Sequence, residues 1–232
     1  MKKRGVFIAL EGTDGTGKKT QTKLLVRRLK KKDYKVAEIS FPQYGKSSAW
    51  QIEQYLNGFF GKPNSIDPYF SSLLFAADRR EAKPQIEQWL EEYDVVLSDR
   101  YAASNAGHQG GKISDPKKRK RFLEWLWTTE FGVNKIPMPN LNIVLHATPS
   151  ASQKNILKKA SRGYIKKGRR RDGHERDLAH LNRAAASYGW LIKQDPKRFR
   201  LINCMKGAHL ASPEKIHEKI WTLIEPLLKK SR

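Results

Sequence analysis

Val6-Phe7-Ile8-Ala9-Leu10-Glu11-Gly12-Thr13-Asp14-Gly15-Thr16-Gly17-Lys18-Lys19-Thr20 is the stretch that decides the fold. Val6 to Leu10 is unbroken apolar sequence and reads as a buried strand, and Leu24, Leu25 and Leu29 downstream mark the apolar face of a helix. Between them stands Gly-x-x-x-x-Gly-Lys, the phosphate-loop pattern, in the strand, loop and helix order that gives it meaning. The glycines permit a turn whose backbone N–H groups converge on a β-phosphate. The helix N-terminus adds its positive dipole end, and the Lys18 ammonium reaches β- and γ-oxygens. Gly12, Thr13, Asp14, Gly15, Thr16, Gly17, Lys18, Lys19 and Thr20 are therefore the candidate ATP-binding residues, with Lys18 also a candidate catalytic residue. Lys19 stands where a Ser or Thr hydroxyl usually ligates Mg²⁺. Two readings stay open: Thr20 supplies the hydroxyl, or phosphates, waters and carboxylates hold the ion, because Mg²⁺ keeps several waters.

Outward from this stretch, four more β-rich runs follow: Lys35 to Ser40, Val95 to Ser98, Leu141 to Leu145 and Phe199 to Asn203. Amphipathic helical patterns fill the intervals. Asp67-Pro68 opens one helix, Pro84 is expected to end or kink it, and Ser212-Pro213 opens the last. Strands alternating with helices, and no strand-hairpin signal, predict an α/β fold: a five-stranded parallel sheet with helices on both faces, in one domain over residues 1–232. In such sheets the site lies beyond the carboxyl ends of the strands, so Asp99 and Arg100 after the third strand should emerge beside the loop. Asp99 is a candidate Mg²⁺ ligand, and Arg100 a bidentate fork for a phosphate.

The chain has 232 residues with 46 Lys and Arg against 23 Asp and Glu, a formal charge of +23. The charge is blocky: Met1 to Lys35 holds twelve basic and three acidic residues, and Gln153 to Arg176 ten and two, whereas Ser40 to Gly111 is net acidic. Lys30 to Lys32 and Lys117 to Arg121 read as solvated surface. The cluster Lys166 to Arg171 differs, since Gly163, Gly168 and Gly173 flank it as in a basic flap. Aromatic residues and repeated apolar runs argue against disorder. One cysteine, Cys204, excludes an intrachain disulfide, and no apolar run is long enough to span a membrane, so a cytoplasmic location is expected.

The ordered motifs resemble one family, the thymidylate kinases, through most of the chain. Leu10 to Gly15 with Gly17-Lys18 and Thr20-Gln21 is similar to its phosphate loop. Phe41-Pro42, Leu74-Phe75-Ala76-Ala77-Asp78-Arg79, Asp99-Arg100-Tyr101 with Ser104-Asn105, and His108-Gln109-Gly110 are similar to its substrate motifs. The resemblance implies phosphoryl transfer from ATP with Mg²⁺ to dTMP, giving dTDP, in a homodimer. It implies dTMP-binding roles for Phe41, Phe75, Arg79, Arg100, Ser104, Asn105 and His108: Phe75 stacking on thymine, Asn105 and Ser104 reading the base edge, and His108 beside the sugar, where the family often has tyrosine. Asp14 would lie by the 3′-hydroxyl and the metal. Residues 161–177 would form a LID supplying a catalytic arginine, from Arg162, Arg169, Arg170, Arg171 and Arg176, because the phosphate loop has none.

Three further positions depart from the family pattern. Tyr44 stands where an arginine usually grips the acceptor phosphate, with Arg100 and Lys46 as the expected substitutes; Asn140 replaces an aspartate; and His146 replaces another frequent acid. The alternatives are another nucleoside or nucleoside-monophosphate kinase of the same fold, or a basic nucleic-acid-binding protein with a phosphate loop. The +23 charge suggests the latter and leaves room for weak nonspecific nucleic-acid binding by a kinase, although no finger or helix-turn-helix pattern is present.

Overall fold

The computed structural model describes residues 4–157 and 178–231. Strands β1 (Val6–Glu11), β2 (Val36–Ser40), β3 (Val95–Asp99), β4 (Leu141–His146) and β5 (Phe199–Asn203) form one parallel sheet in the order β2-β3-β1-β4-β5. Every residue of β1 is buried, which is why its sequence runs apolar without alternation. Helices α1 (Lys18–Lys31), α2 (Trp50–Leu56), α3 (Pro68–Glu92), α4 (Ala102–His108), α5 (Pro116–Trp127), α6 (Pro149–Leu157), α7 (Leu178–Gln194) and α8 (Pro213–Ser231) complete the architecture. Alternate residues of the strands serve opposite faces. Val6, Ile8 and Leu10 pack with Leu25 and Leu29 of α1 and Ile216, Ile220 and Ile224 of α8. Phe7 and Ala9 face Ala82, Ile86 and Leu90 of α3, and Val144 faces Phe122 of α5 and Tyr188 of α7. The connection from β1 runs to β2 on one side of the sheet while that from β3 crosses to β4 on the other side of β1, so a crevice opens at the carboxyl end of β1.

Expected caps form. The Asp67 carboxylate accepts from Phe70 N at 2.9 Å, and Ser212 Oγ from Lys215 N at 3.4 Å. Two expectations are corrected. Strands β6 (Met205–Lys206) and β7 (His209–Leu210) form an antiparallel hairpin, its turn carried by Gly207 at φ 58°. It is too short to leave an alternating pattern. And α3 runs through Pro84 without ending. Pro84 is on the exposed side, so water can satisfy the carbonyl left without its N–H donor, while Ala82, Ile86 and Leu90 hold the helix to the sheet. Replacing Pro84 with alanine should restore that bond and stabilise the fold by about 1–3 kcal/mol, read as a higher urea midpoint with an unchanged slope.

Candidate active site

The loop between β1 and α1 turns through three positive-φ glycines, Gly12, Gly15 and Gly17. At Gly12 a Cβ would lie 2.3 Å from the Leu145 carbonyl oxygen of β4, and at Gly15 2.2 Å from that of Ser152 on α6, so backbone packing as well as conformation demands glycine. Asn155 of α6 donates to the Gly15 carbonyl at 2.6 Å, and Thr16 Oγ1 to Thr13 O at 2.9 Å. Lys18 begins α1 and curls back into the loop, its Nζ donating to Gly12 O (3.0 Å) and Thr13 O (2.9 Å). Its neighbours Lys19 and Thr20 both point to solvent.

Arg100 sits at the exit of β3 with φ 71°, an unusual conformation for a residue with a side chain. The strain is held by many bonds. Its N–H donates to Leu10 O; Nη2 donates to Asp14 Oδ1 at 2.8 Å; and Nη1 lies 3.2 Å from Gly12 O, Ser104 Oγ and His108 Nε2. Although burial disfavours its charge, Asp14, Tyr188, Asp99 and Glu11 more than compensate and raise its pKa, so the guanidinium stays charged. Asp99 ends β3 one residue earlier, in register with Leu10. The geometry thus brings together Lys18, Asp14, Asp99, Arg100, Ser104 and His108.

Beneath them is a residue to which the sequence reading assigned no role. Glu11 is fully buried and accepts from Tyr101 N (2.8 Å), Ser104 Oγ (2.6 Å) and Tyr188 OH (3.1 Å). Burial raises its pKa, opposed by those bonds and by Arg100. The one available signal was an acid closing an apolar strand.

The acceptor side is a second buried network. Arg79, expected among the dTMP-binding residues, turns Nε and Nη2 onto Glu130, both residues essentially inaccessible. Burial opposes the charge on Arg79, but Glu130 outweighs it and raises the pKa. Asn105 joins them, its Nδ2 donating to Ser72 O at 3.0 Å and lying 3.5 Å from Glu130 Oε1. Phe75 is half-buried and meets Tyr55 edge-on, with ring centroids 6.0 Å apart. Lys112 ties this region down by donating to Tyr55 OH, Ile66 O and Ser71 Oγ, and burial lowers its pKa to about 7. Phe41, expected among the dTMP-binding residues, is 3% exposed and packs on Tyr101. Arg162, Arg169, Arg170, Arg171 and Arg176 lie outside the described residues.

The family model for thymidylate kinase matches residues 10–220. The thymidylate kinase of Mycobacterium tuberculosis is 34% identical over 192 residues, covering 82% of this chain and 86% of that protein. The human thymidylate kinase is 28% identical, covering 98% and 93%. The chain belongs to the thymidylate kinase family. A solved thymidylate kinase from Candida albicans has the same fold at 21% identity, with a TM-score of 0.76 over 100% of this chain and 96% of that one. As a family member the chain is a phosphotransferase that makes dTDP from dTMP and ATP. No helix among the described residues is long and apolar enough to cross a membrane.

Two departures from the thymidylate kinase pattern acquire physical meaning. Asn140 replaces an aspartate but its Oδ1 accepts from Phe7 N at 2.7 Å, a bond that a carboxylate oxygen would also make. Gln43, beside Tyr44, is clamped by Asp78 through its backbone N–H and its amide, while Tyr44 faces outward.

Lys18 carries a pH signature. Burial, then Arg100, lowers its pKa to about 8, against the pull of Asp14, Asp99 and Glu11. Between that value and the ordinary one of 10.5 the unfolded chain binds more protons than the folded one, so the Lys18 penalty is full below pH 8 and fades as pH rises to 10.5. The Lys18→Met variant should have a higher urea midpoint than the wild type at pH 7, and the gap should narrow toward pH 10.5.

Proposed function

We propose that the chain transfers the γ-phosphoryl group of ATP to the phosphate of dTMP, with the β1–α1 loop holding the donor and the Arg100 corner holding the acceptor. The observation that carries this division is Arg100 itself: one guanidinium bonds Asp14 of the loop while standing beside Ser104 and His108 of the acceptor motif. Little covalent work is needed, so catalysis is positioning and charge neutralisation. Backbone N–H groups and Lys18 bind the donor phosphates, Lys18 exchanging the Gly12 and Thr13 carbonyls for phosphate oxygens. Arg100 binds the acceptor phosphate, Phe75 stacks on thymine, and Arg79 and Asn105, fixed by Glu130, face the base. A LID arginine reaches the transferring group.

Mg²⁺ fits as a partner of the nucleotide. Among the described residues no group of three or more His, Cys, Asp or Glu could hold a metal ion by itself. Asp14 and Asp99 nonetheless stand close enough to Lys18 to favour its charge, and hard carboxylate oxygens suit an ion that keeps waters and phosphates in its shell. When bound, the ion neutralises charge on the phosphate oxygens.

We infer a homodimer from the α2–α3 side. Phe70, Leu73 and Ala77 are exposed along one face of α3, with Phe59 reaching Phe70 through Phe60, and a two-fold axis lets one such patch cover itself. The single cysteine, buried and with its thiol pushed up to about 11 by burial, suits the cytoplasm. The +23 charge adds weak, salt-sensitive association with nucleic acid.

Coupled turnover on dTMP, dUMP and CMP tests the substrate, with dTMP clearly preferred as the expected result; preference for either of the others overturns it. Alanine at Arg162, Arg169, Arg170, Arg171 and Arg176 in turn should give one loss of about 10³-fold or more in turnover, whereas uniformly small losses would remove the LID arginine from the mechanism. Light scattering after gel filtration should show a dimer that Leu73→Lys converts to a monomer.

A further inference from the structure

Arg100 is approached from one side by a pair of histidines that the acceptor motif alone does not account for. His108 ends α4, and its Nε2 lies 3.2 Å from Arg100 Nη1. Its Nδ1 lies 3.1 Å from Nε2 of His180, on the first turn of α7, and the two rings stack at 5.4 Å with 27° between planes. Neither ring is open to solvent: His180 has no exposed surface and His108 8%. A guanidinium has only hydrogens to offer, so His108 Nε2 must present its lone pair. The His108 proton then belongs on Nδ1 and is donated to His180 Nε2, which fixes the His180 proton on its own Nδ1. Burial, then Arg100 and His180, hold the His108 pKa well below the usual histidine value, consistent with a neutral ring.

The backbone beneath this pair leaves it little room to move. A Cβ at Gly107 would fall 2.3 Å from the Tyr188 ring, and one at Gly111 2.9 Å from Ala184 N, so α4 and the turn after it lie directly against α7. Ser187 Oγ locks the contact by donating to Ala106 O at 2.7 Å. His180, Ala184, Ser187 and Tyr188 share one face of α7. Two of them reach the site from behind: Tyr188 bonds Glu11, and His180 bonds His108.

We propose that His180 is a positioning residue for the acceptor phosphate, fixing the tautomer of His108 and through it the Arg100 guanidinium. The proposal rests on the reading of Arg100 as the acceptor-phosphate ligand. Without an acceptor on α7, the His108 proton moves to Nε2, where it opposes the Arg100 N–H, and the guanidinium is displaced from its place between Asp14 and Ser104. His180 touches neither substrate. Its effect falls on dTMP binding and leaves the ATP side, held by the loop backbone and Lys18, as it was.

The test has two arms. Long-range ¹H–¹⁵N spectra of the full chain labelled at histidine nitrogens, recorded without nucleotide, should show His108 protonated at Nδ1 and bare at Nε2; protonation at Nε2 overturns the proposal. In the second arm, His180→Phe keeps a ring but removes both nitrogens, and should raise the KM for dTMP by about ten-fold or more while the KM for ATP stays within about two-fold. His180→Gln, whose amide oxygen can accept from His108 Nδ1, should recover most of that loss. An unchanged KM for dTMP in His180→Phe, or a glutamine variant no better than phenylalanine, overturns the proposal. If the wild type does not phosphorylate dTMP, the functional reading fails, and the spectra still decide whether the hydrogen-bond chain exists.

Discussion

The site depends on one buried carboxylate. Glu11 closes β1 with no access to water and is tolerable there because Tyr101 N, Ser104 Oγ and Tyr188 OH all donate to it and the Arg100 guanidinium stands nearby. Those donors come from the exit of β3, the body of α4 and the middle of α7. Satisfying one acid therefore sets the relative positions of three elements. It also explains the backbone at Arg100: the chain must leave β3, turn its next N–H onto Glu11 and still aim a guanidinium at the phosphate loop, and the left-handed conformation at φ 71° meets all three demands.

The fold was legible because its signals are local. The five strands of the sheet, the phosphate loop and the caps at Asp67 and Ser212 are written in consecutive residues, and each was found within a residue or so. What could not be read locally was misread. Pro84 signals a break only if its lost hydrogen bond has no solvent and no tertiary packing to compensate it, and both are present. In the site, Lys18, Asp14, Asp99, Arg100, Ser104 and His108 carried motif signals and do assemble. Glu130, Tyr188 and His180 carried none, because their roles arise only when distant segments meet: the Arg79–Glu130 pair spans 51 positions and the Glu11–Tyr188 bond 177.

The two halves of the site are held in different ways. At the phosphate loop, backbone geometry does the holding: left-handed glycines shape the turn, and the buried Lys18 ammonium, its pKa lowered, lies against the loop carbonyls. On the acceptor side, buried side chains satisfy one another through Glu130 before any ligand arrives. A buried pair of this kind adds little net stability relative to an apolar replacement, yet breaking it is costly. That combination fixes the orientation of Arg79 and Asn105 before any ligand arrives.

The departures from the family pattern now separate by what each must do. Asn140 needs only an oxygen for the Phe7 N–H, so losing the charge of an aspartate changes nothing in that bond. His108 is different in kind. A phenol hydroxyl can accept from Arg100 by rotating its own proton away, whereas an imidazole facing Arg100 must have its proton settled on the far nitrogen by a neighbour. The substitution is compatible with a charged Arg100 only if something on α7 accepts that proton, and His180 is positioned to do so. Histidine at 108 and an acceptor at 180 are thus one structural requirement shared by two helices.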